Sequence, residues 1–277
     1  MSFVTKVTGA AMLVALSACA SIERAAIPTA QVTDSDWLAF TPGSSEIVDH
    51  SAWNAFLSTY RVEGLDGIAR LRYAAVTEAD LAALESYISA LEQVDVAALD
   101  RPEQLAYWIN LYNAKTVALV LRDYPVNTIR RVDGGLLATG PWNRDVVEVD
   151  GRALSLNDIE HTIVRPIWQD ARVHYAFNCA ALGCPNLIAE AYTGETIDEV
   201  LDENARAYVN DPRGFHFEGD RLTASRIYVW FVEDFGGTEA GVLEHAARYA
   251  EPELGERLLE AGRINSYEYD WGLNDAS

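Results

Sequence analysis

The amino-acid sequence predicts an α+β fold in which helices pack on a small, mostly antiparallel sheet. Stretches in which apolar residues recur with helical spacing alternate with shorter stretches that carry a turn dipeptide between two alternating runs. The chain has neither a glycine-rich phosphate loop nor an internal repeat of about 20–50 residues, which disfavours nucleotide-binding doubly wound folds and solenoids. With 49% hydrophobic residues, the 277-residue chain can form one substantial core.

The charge of the chain argues against a nucleic-acid partner. Its 42 acidic side chains outnumber 21 basic ones, which gives a formal net charge of −21. An excess of this size repels the phosphate backbone on which nucleic-acid binding depends. We therefore expect no nucleic acid among the partners and interpret the acidity as a determinant of solubility. The alternative is an acidic binding face for cations or basic partners.

Residues 1–18 have the features of a lipoprotein signal peptide. Lys6 precedes a short apolar run, and the sequence LSAC at residues 16–19 resembles a bacterial lipobox. Cleavage before Cys19 would leave a lipidated cysteine that anchors the chain in a lipid bilayer on the periplasmic face of the cell envelope. Ala20 is not the aspartate that retains lipoproteins at the inner membrane, so the outer membrane is favoured. The alternative is an ordinary secretory signal with an incidental cysteine.

The next segment, residues 19–51, is expected to be a tether and wrapping arm, because it has no sustained period and contains Pro28, Pro42 and Gly43. Trp37 and Phe40 are the side chains expected to dock on the folded domain. A single α+β domain is predicted to occupy residues 52–277.

The domain opens with three predicted helices, at residues 52–60, 77–91 and 102–122. Thr77 is the expected N-cap of the second, and Pro102 suits the first turn of the third. In that third helix, Asn110 and Asn113 stand three residues apart among apolar side chains, and Glu103 lies on the same stripe as Asn110. We expect both amides to be buried and bonded to another segment, either to hold loops in place or to take part in an active site.

Further elements follow in order. A hairpin is predicted over residues 146–155 with Asp150-Gly151 at its turn. A helix capped by Ser155 or Asn157 should carry Glu160 and His161 until Pro166 stops or kinks it. The remaining predicted elements are a helix at 196–208, a hairpin at 215–222, helices at 226–235, 239–249 and 252–261, and a strand at 264–269.

The most informative stretch is RVHYAFNCAALGCP at residues 172–185. The alternation of apolar and other residues through position 178 predicts a strand that carries His174 and Asn178 on one face. Cys179 follows where the alternation stops, so its thiol is free to turn toward the histidine. This stretch is the candidate active site.

In the first hypothesis, Cys179 is a nucleophile activated by His174, for amide or peptide hydrolysis or for acyl transfer. Glu103 or an asparagine would orient the imidazole, with Glu160 and His161 in reserve, and a backbone N–H near Ala180 would help to hold an oxyanion. The candidate catalytic residues are therefore Cys179, His174, Glu103 and Asn178, and the candidate supporting residues are Asn110, Asn113, Glu160 and His161.

In the second hypothesis, the chain is a non-catalytic envelope binding or scaffolding lipoprotein, stapled by a Cys179–Cys184 disulfide that an oxidising compartment would favour. A zinc site formed by His174, Cys179 and Cys184 is a third alternative, but it lacks an identified fourth ligand. We predict no metal and no cofactor. The partner expected for the first hypothesis is a peptide or amide substrate whose identity the sequence does not define.

Several motifs together resemble the bacterial family catalogued as domain of unknown function 547. They are EQLAYWINLYNA at 103–114, SLNDIEH at 155–161, HYAFNC at 174–179 with Cys184-Pro185, and YDWGLN at 269–274. The resemblance covers about residues 50–274. It implies a histidine, a cysteine and a polar helix at one site, as in papain-like and transglutaminase-like cysteine enzymes, and every motif position is filled in this chain.

Replacing Cys19 by serine should abolish acylation and release soluble protein into the envelope or the medium, because one cysteine serves both cleavage and lipid attachment. Membrane fractionation of wild type and variant measures this. Unchanged membrane association of the Cys19→Ser variant would refute the anchor.

Overall fold

The structure is a computed structural model that describes residues 24, 27–134 and 140–276. The predicted signal peptide and Cys19 lie outside the described residues. The predicted α+β class is confirmed. The fold divides into two compact units: a larger one of Thr29–Asn204 with Asp270–Ser277, and a smaller one of Ala205–Tyr269 with the described residues of Met1–Pro28. The predicted limits of the tether and of a single domain stay predictions.

The larger unit is built around one helix whose whole circumference is buried. Its helices are α1 (Ser51–Tyr60), α2 (Glu78–Leu91) and α3 (Arg101–Asp123), with the short antiparallel pair β1 (Arg61–Glu63) and β2 (Ala69–Leu71) between the first two. All residues of α3 from Glu103 to Val120 except Lys115 are buried. Polar side chains on such a helix cannot face water, so a polar group without a partner within the protein is costly.

The predicted helix starts are close to those observed. Thr77 caps α2 by accepting a hydrogen bond from the backbone N–H of Asp80, as expected. Pro102 lies in the first turn of α3, where its missing N–H costs no intrahelical bond. The arm also docks as predicted through Trp37, whose indole packs edge-on against Trp108 with ring centroids 5.5 Å apart. Phe40 stays 38% exposed beneath the guanidinium of Arg101.

The predicted hairpin forms as β3 (Asp145–Val149) and β4 (Arg152–Ser155), and its turn residues Asp150 and Gly151 both have positive φ. Ser155 then starts the next helix: its hydroxyl accepts from the N–H of Asp158, and the Asp158 carboxylate accepts from the N–H of Ser155. This reciprocal capping confirms Ser155 as the cap.

Pro166 neither stops the helix nor simply kinks it. The segment Asp158–Val164 is a π-helix and continues directly into α4 (Arg165–Trp168). Proline has no N–H and its ring collides with the carbonyl four residues earlier. The wider turn accommodates this, because the N–H of Arg165 reaches back five residues to the carbonyl of Glu160.

The strand predicted over residues 172–178 is wrong. Ala171–Tyr175 forms a 3-10 helix whose N-cap, Asp170, accepts from the N–H of Arg172, and residues 176–178 have no regular structure. Every residue from Val173 to Asn178 is buried, so the alternation of residue types does not separate a solvent face from a core face. His174 and Asn178 therefore do not share a strand face.

The smaller unit contains a three-stranded sheet with β6 at its centre. Strands β5 (Phe215–Glu218) and β6 (Arg221–Ser225) form the predicted hairpin, and β7 (Ser266–Glu268) pairs with β6 in parallel. Its other elements are the C-terminal end of α5 (Ile197–Val209), α6 (Ile227–Trp230), α7 (Glu239–Ala247) and α8 (Pro252–Ala261). The helix predicted over 226–235 ends early, at Trp230. Among the described residues, no helix is both long enough and apolar enough to cross a membrane.

A buried histidine fastens the arm to the core of the larger unit. His50 Nδ1 lies 2.6 Å from the hydroxyl of Tyr87, and its Nε2 lies 3.1 Å from the amide nitrogen of Asn110. Because that amide nitrogen can only donate, Nε2 accepts, and the proton of the neutral ring is on Nδ1. Burial lowers the pKa of His50, against the opposite effect of the nearby Glu103 and Asp49 carboxylates.

The stability of the protein should therefore fall in mild acid through His50. Above the ordinary pKa of 6.5 the ring is neutral in both states, so it adds no pH dependence. As the pH falls below that value, the unfolded chain binds a proton that the folded state resists, and the free energy of unfolding decreases. Denaturant unfolding across pH 5–8 measures this. The decrease in the free energy of unfolding at acid pH should be smaller in His50→Gln than in the wild type, and unchanged in His216→Gln. An equal decrease in the wild type and both variants would contradict a role of His50.

Candidate functional site

Two asparagines of α3 bind the backbone of two separate segments. The amide nitrogen of Asn113 donates to the carbonyl of Ala176 at 2.9 Å, and its oxygen accepts from the N–H of Asn178 at 2.8 Å. The amide nitrogen of Asn110 likewise donates to the carbonyl of Tyr192 at 2.8 Å, and its oxygen accepts from the N–H of the same residue at 3.0 Å. We call these the Asn113 latch and the Asn110 latch.

Both latches confirm the expectation drawn from the sequence. Asn110 and Asn113 are 0% and 1% exposed, and each amide binds backbone of another segment. A primary amide pairs with one N–H and one C=O in the way that a neighbouring strand would. Each asparagine thus gives a buried, irregular segment the partners that a sheet would otherwise supply.

The segment held by the Asn113 latch leads into the cysteine loop, residues 178–185. Asn178 spans this loop: its side-chain oxygen accepts from the N–H of Ala180 at 2.9 Å, and its amide nitrogen donates to the carbonyl of Pro185 at 2.8 Å. Ala180 has φ 59°, a left-handed conformation uncommon for a residue other than glycine. Asn178 therefore shapes the loop, and the N–H of Ala180 itself is bonded within it. The backbone N–H near Ala180 that would help to hold an oxyanion stays a prediction.

The far side of the cysteine loop is paired with the C-terminal motif at residues 269–274. The N–H of Leu182 donates to the carbonyl of Gly272 at 2.8 Å, and the N–H of Asn274 donates to the carbonyl of Ala180 at 3.0 Å. Ala181 and Leu273 form an isolated antiparallel bridge. The loop is thus held from both sides, by α3 through Asn113 and by the end of the chain.

The two thiols of the loop are in contact. The Sγ atoms of Cys179 and Cys184 lie 2.7 Å apart, and no disulfide joins these two cysteines. The backbone N–H of Cys179 points at the Sγ of Cys184 at 3.1 Å. Cys184 is buried, with 3% exposure, whereas Cys179 is only partly buried. The predicted disulfide stays a prediction, for which the two sulfurs are already adjacent.

An acid and two histidines lie together in the same unit. The Oε1 of Glu160 is 3.8 Å from Nδ1 of His174 and 3.9 Å from Nδ1 of His161. All three residues are buried. The guanidinium of Arg165 lies 3.1 Å from Nδ1 of His161 and can only donate, so this nitrogen of His161 is the acceptor. Glu160 is therefore placed to act on His174, and His161 is engaged by Arg165.

Glu103, the first candidate for orienting His174, has other partners. One of its carboxylate oxygens accepts from the N–H of Val48 at 2.9 Å, and the other accepts from the N–H of Gly194 at 2.7 Å. A side chain at Gly194 would have its Cβ only 2.7 Å from the Glu103 carboxylate, which explains the glycine. Glu103 therefore joins the arm and the segment at 194 to α3, near His50. Glu160, the reserve candidate, is the carboxylate beside His174.

One phenol links the acid to the thiols. Burial raises the pKa of Tyr112 well above its ordinary value of 10.0. The negative charges of Glu160, Cys179 and Cys184 raise this pKa further, whereas a hydrogen bond with Trp142 lowers it. Burial raises the pKa of Tyr73 in the same direction, with Asp275 and both cysteines contributing. Glu160, Cys179 and Cys184 therefore all act electrostatically on a single tyrosine, Tyr112. Sequence reasoning missed both tyrosines, because in a buried run nothing distinguishes them from core aromatics.

A cavity of about 850 Å³ adjoins the segment that holds the cysteine loop. Gly272 and Leu273, whose backbone pairs with the loop, line it together with Tyr124, Arg131 and Asp275. This volume is in the range of ligand sites. In the described ranges, no group of three His, Cys, Asp or Glu side chains is arranged to hold a metal ion.

Comparison with known protein families gives a match over part of the chain. The family described as "Protein of unknown function, DUF547" matches residues 96–209. The match includes α3 with both latches, Glu160, His174 and the cysteine loop, and it ends before the C-terminal motif at 269–274. No curated protein and no solved structure matches the chain significantly.

The two latches should act on separate segments. Asn113→Ala should raise amide hydrogen exchange at residues 176–178 and leave 191–193 protected, and Asn110→Ala should do the reverse. Each variant should lower the free energy of unfolding by about 2–4 kcal/mol, because two buried backbone groups lose their partners. Exchange measured by mass spectrometry tests this, and the same exchange pattern in both variants would contradict two separate latches.

Proposed function

We propose that this protein is a lipid-anchored cell-envelope protein whose Cys179, His174 and Glu160 form a site for amide or peptide hydrolysis or for acyl transfer. One observation carries the proposal: the buried carboxylate of Glu160 lies 3.8 Å from the imidazole of His174, and its charge acts on the same phenol, Tyr112, as that of the partly exposed Cys179. An acid, a base and a nucleophile are the components of a cysteine-type site.

Each of the three residues has a separate role. His174 takes the proton of Cys179, and the thiolate attacks the substrate carbonyl to form a carbon–sulfur bond. The tetrahedral intermediate expels the amine, which receives the proton from His174, and water or a second amine then releases the acyl group. Glu160 holds the imidazole in position and stabilises the imidazolium while it carries the proton.

The resemblance of the sequence motifs to cysteine enzymes supports the same proposal. The motifs quoted above are similar to those of bacterial proteins that combine a histidine, a cysteine and a polar helix, as papain-like and transglutaminase-like enzymes do. The substrate class is then a peptide or other amide, and the reaction needs no cofactor. The cavity lined by Gly272 and Leu273 is of a size suited to part of such a substrate.

The location follows from the N-terminal sequence. Lipidation of Cys19 would tether the chain to a bilayer at the periplasmic face, with the outer membrane favoured by Ala20. The net charge of −21 suits an envelope protein that does not bind nucleic acid. An anchored hydrolase or acyltransferase would act on peptides or amides within reach of that membrane.

The contact between the two thiols favours one competing function. Sulfur atoms 2.7 Å apart need only a small movement to form a disulfide, whose bond length is about 2.05 Å. A permanently oxidised pair would make the chain a stapled binding or scaffolding lipoprotein without a nucleophile.

Alkylation by iodoacetamide across pH distinguishes the two. If His174 and Glu160 activate the thiol, Cys179 should be alkylated well below the pH of about 8.5 at which an ordinary thiol titrates. His174→Ala should move the profile of Cys179 to that ordinary range, and Glu160→Gln should move it in the same direction. Peptide mapping by mass spectrometry assigns the adduct to Cys179.

The matched control is Glu103→Gln, which alters a buried carboxylate on α3 whose two oxygens accept from the N–H groups of Val48 and Gly194. Its alkylation profile should equal that of the wild type. The proposal fails if Cys179 reacts as an ordinary thiol in the wild type, or if it is found bonded to Cys184 in every preparation. The stapled binding module then replaces it.

A further inference from the structure

The two thiols differ in how easily a small reagent can reach them. Cys179 is partly exposed, whereas Cys184 is only 3% exposed. Oxidation of a thiol requires contact between the sulfur and the oxidant, so a diffusing oxidant meets Cys179 first. The buried sulfur of Cys184 is then the nearest nucleophile to any product formed on Cys179, at a distance of 2.7 Å before oxidation.

The loop is held in a form that keeps this pair together. Asn178 bonds both Ala180 and Pro185, and so closes the loop around the cysteines. The backbone N–H of Cys179 lies 3.1 Å from the Sγ of Cys184. A donor aimed at sulfur stabilises the thiolate, which favours Cys184 both as an attacking group and as a leaving group.

From these observations we infer that Cys179 is a site of oxidation by small peroxides and that Cys184 resolves the product into a reversible Cys179–Cys184 disulfide. The thiolate of Cys179 attacks one peroxide oxygen; a sulfur–oxygen bond forms, the oxygen–oxygen bond breaks, and two electrons pass from sulfur. With hydrogen peroxide the leaving hydroxide becomes water, and Cys179 becomes a sulfenic acid.

Cys184 completes the reaction. Its thiolate attacks the sulfenic sulfur, the sulfur–sulfur bond forms as the sulfur–oxygen bond breaks, and the second oxygen leaves as water. In total, two thiols and one hydrogen peroxide give one disulfide and two water molecules. A small external thiol reverses the change by attacking the accessible sulfur of Cys179, which releases Cys184 as the hydrogen-bonded thiolate.

The inference deepens the proposed function, since the disulfide would reversibly remove the nucleophile, but its chemistry needs only the two thiols. The two ideas can therefore fail separately. A disulfide that forms with peroxide in a protein whose Cys179 alkylates as an ordinary thiol refutes the hydrolase or transferase proposal alone. A perturbed alkylation profile without a disulfide refutes this inference alone.

The test uses the reduced full chain, treated with hydrogen peroxide, with Cys19 followed separately in the peptide maps. The wild type should lose two hydrogens in a Cys179–Cys184 disulfide, and dithiothreitol should restore both thiols. In Cys184→Ser, dimedone should trap a sulfenic acid on Cys179. In Cys179→Ser, Cys184 should react roughly tenfold more slowly, because the buried sulfur is shielded from the oxidant.

Thermal unfolding of the two serine variants checks that both are folded, and Cys184→Ala is a second variant if Cys184→Ser is not. The inference is overturned if Cys184 in Cys179→Ser reacts with peroxide as fast as Cys179 does in Cys184→Ser. It is also overturned if wild-type Cys179 proceeds to the sulfinic acid without forming the disulfide.

Discussion

The larger unit depends on one constraint. Two asparagine side-chain amides lie inside a helix that is buried on every side, and both need hydrogen-bond partners. Asn110 and Asn113 have no access to water, and an unpaired amide in such a place would cost about 1–3 kcal/mol. Their partners are the backbones of Tyr192 and of residues 176–178, two segments without regular structure. The constraint works in both directions, because these segments also have buried N–H and C=O groups that no sheet satisfies. The cysteine loop is therefore fixed by the helix core.

The features that the sequence predicted well are those in which one residue has a local reason for its position. Thr77 caps a helix, Asp150-Gly151 turns a hairpin, and two asparagines interrupt an apolar helix. In each case the requirement is met within a few residues, or is so costly to leave unmet that a partner must exist. The identity of the partner was not predictable, because Tyr192 lies 82 residues from Asn110 and no local pattern marks it.

The strand prediction failed in a buried segment, where the type of a residue does not indicate whether its side chain faces the core or the solvent. Alternation at residues 172–178 predicted a strand, yet the run from Val173 to Asn178 is buried whole and begins as a 3-10 helix. The stripe of Glu103 and Asn110 does lead to one polar region, but that region surrounds His50, which no periodicity singled out. A carboxylate on a helix can be assigned to a face from sequence, whereas the histidine that faces it depends on how distant segments pack.

The pairing of Glu160 with His174 rests on a distortion that begins at Pro166. Since proline lacks an N–H, the preceding turn widens into a π-helix, and π-turns within helices often occur at functional sites. The carboxylate of Glu160, on this π-helix, lies almost equally far from two imidazoles, 3.8 Å from that of His174 and 3.9 Å from that of His161. Geometry alone does not choose between them. The guanidinium of Arg165, four residues after His161, faces the Nδ1 of that ring and requires it to accept. An acid that needs a protonated nitrogen as its partner is thereby directed to the Nδ1 of His174, 3.8 Å away.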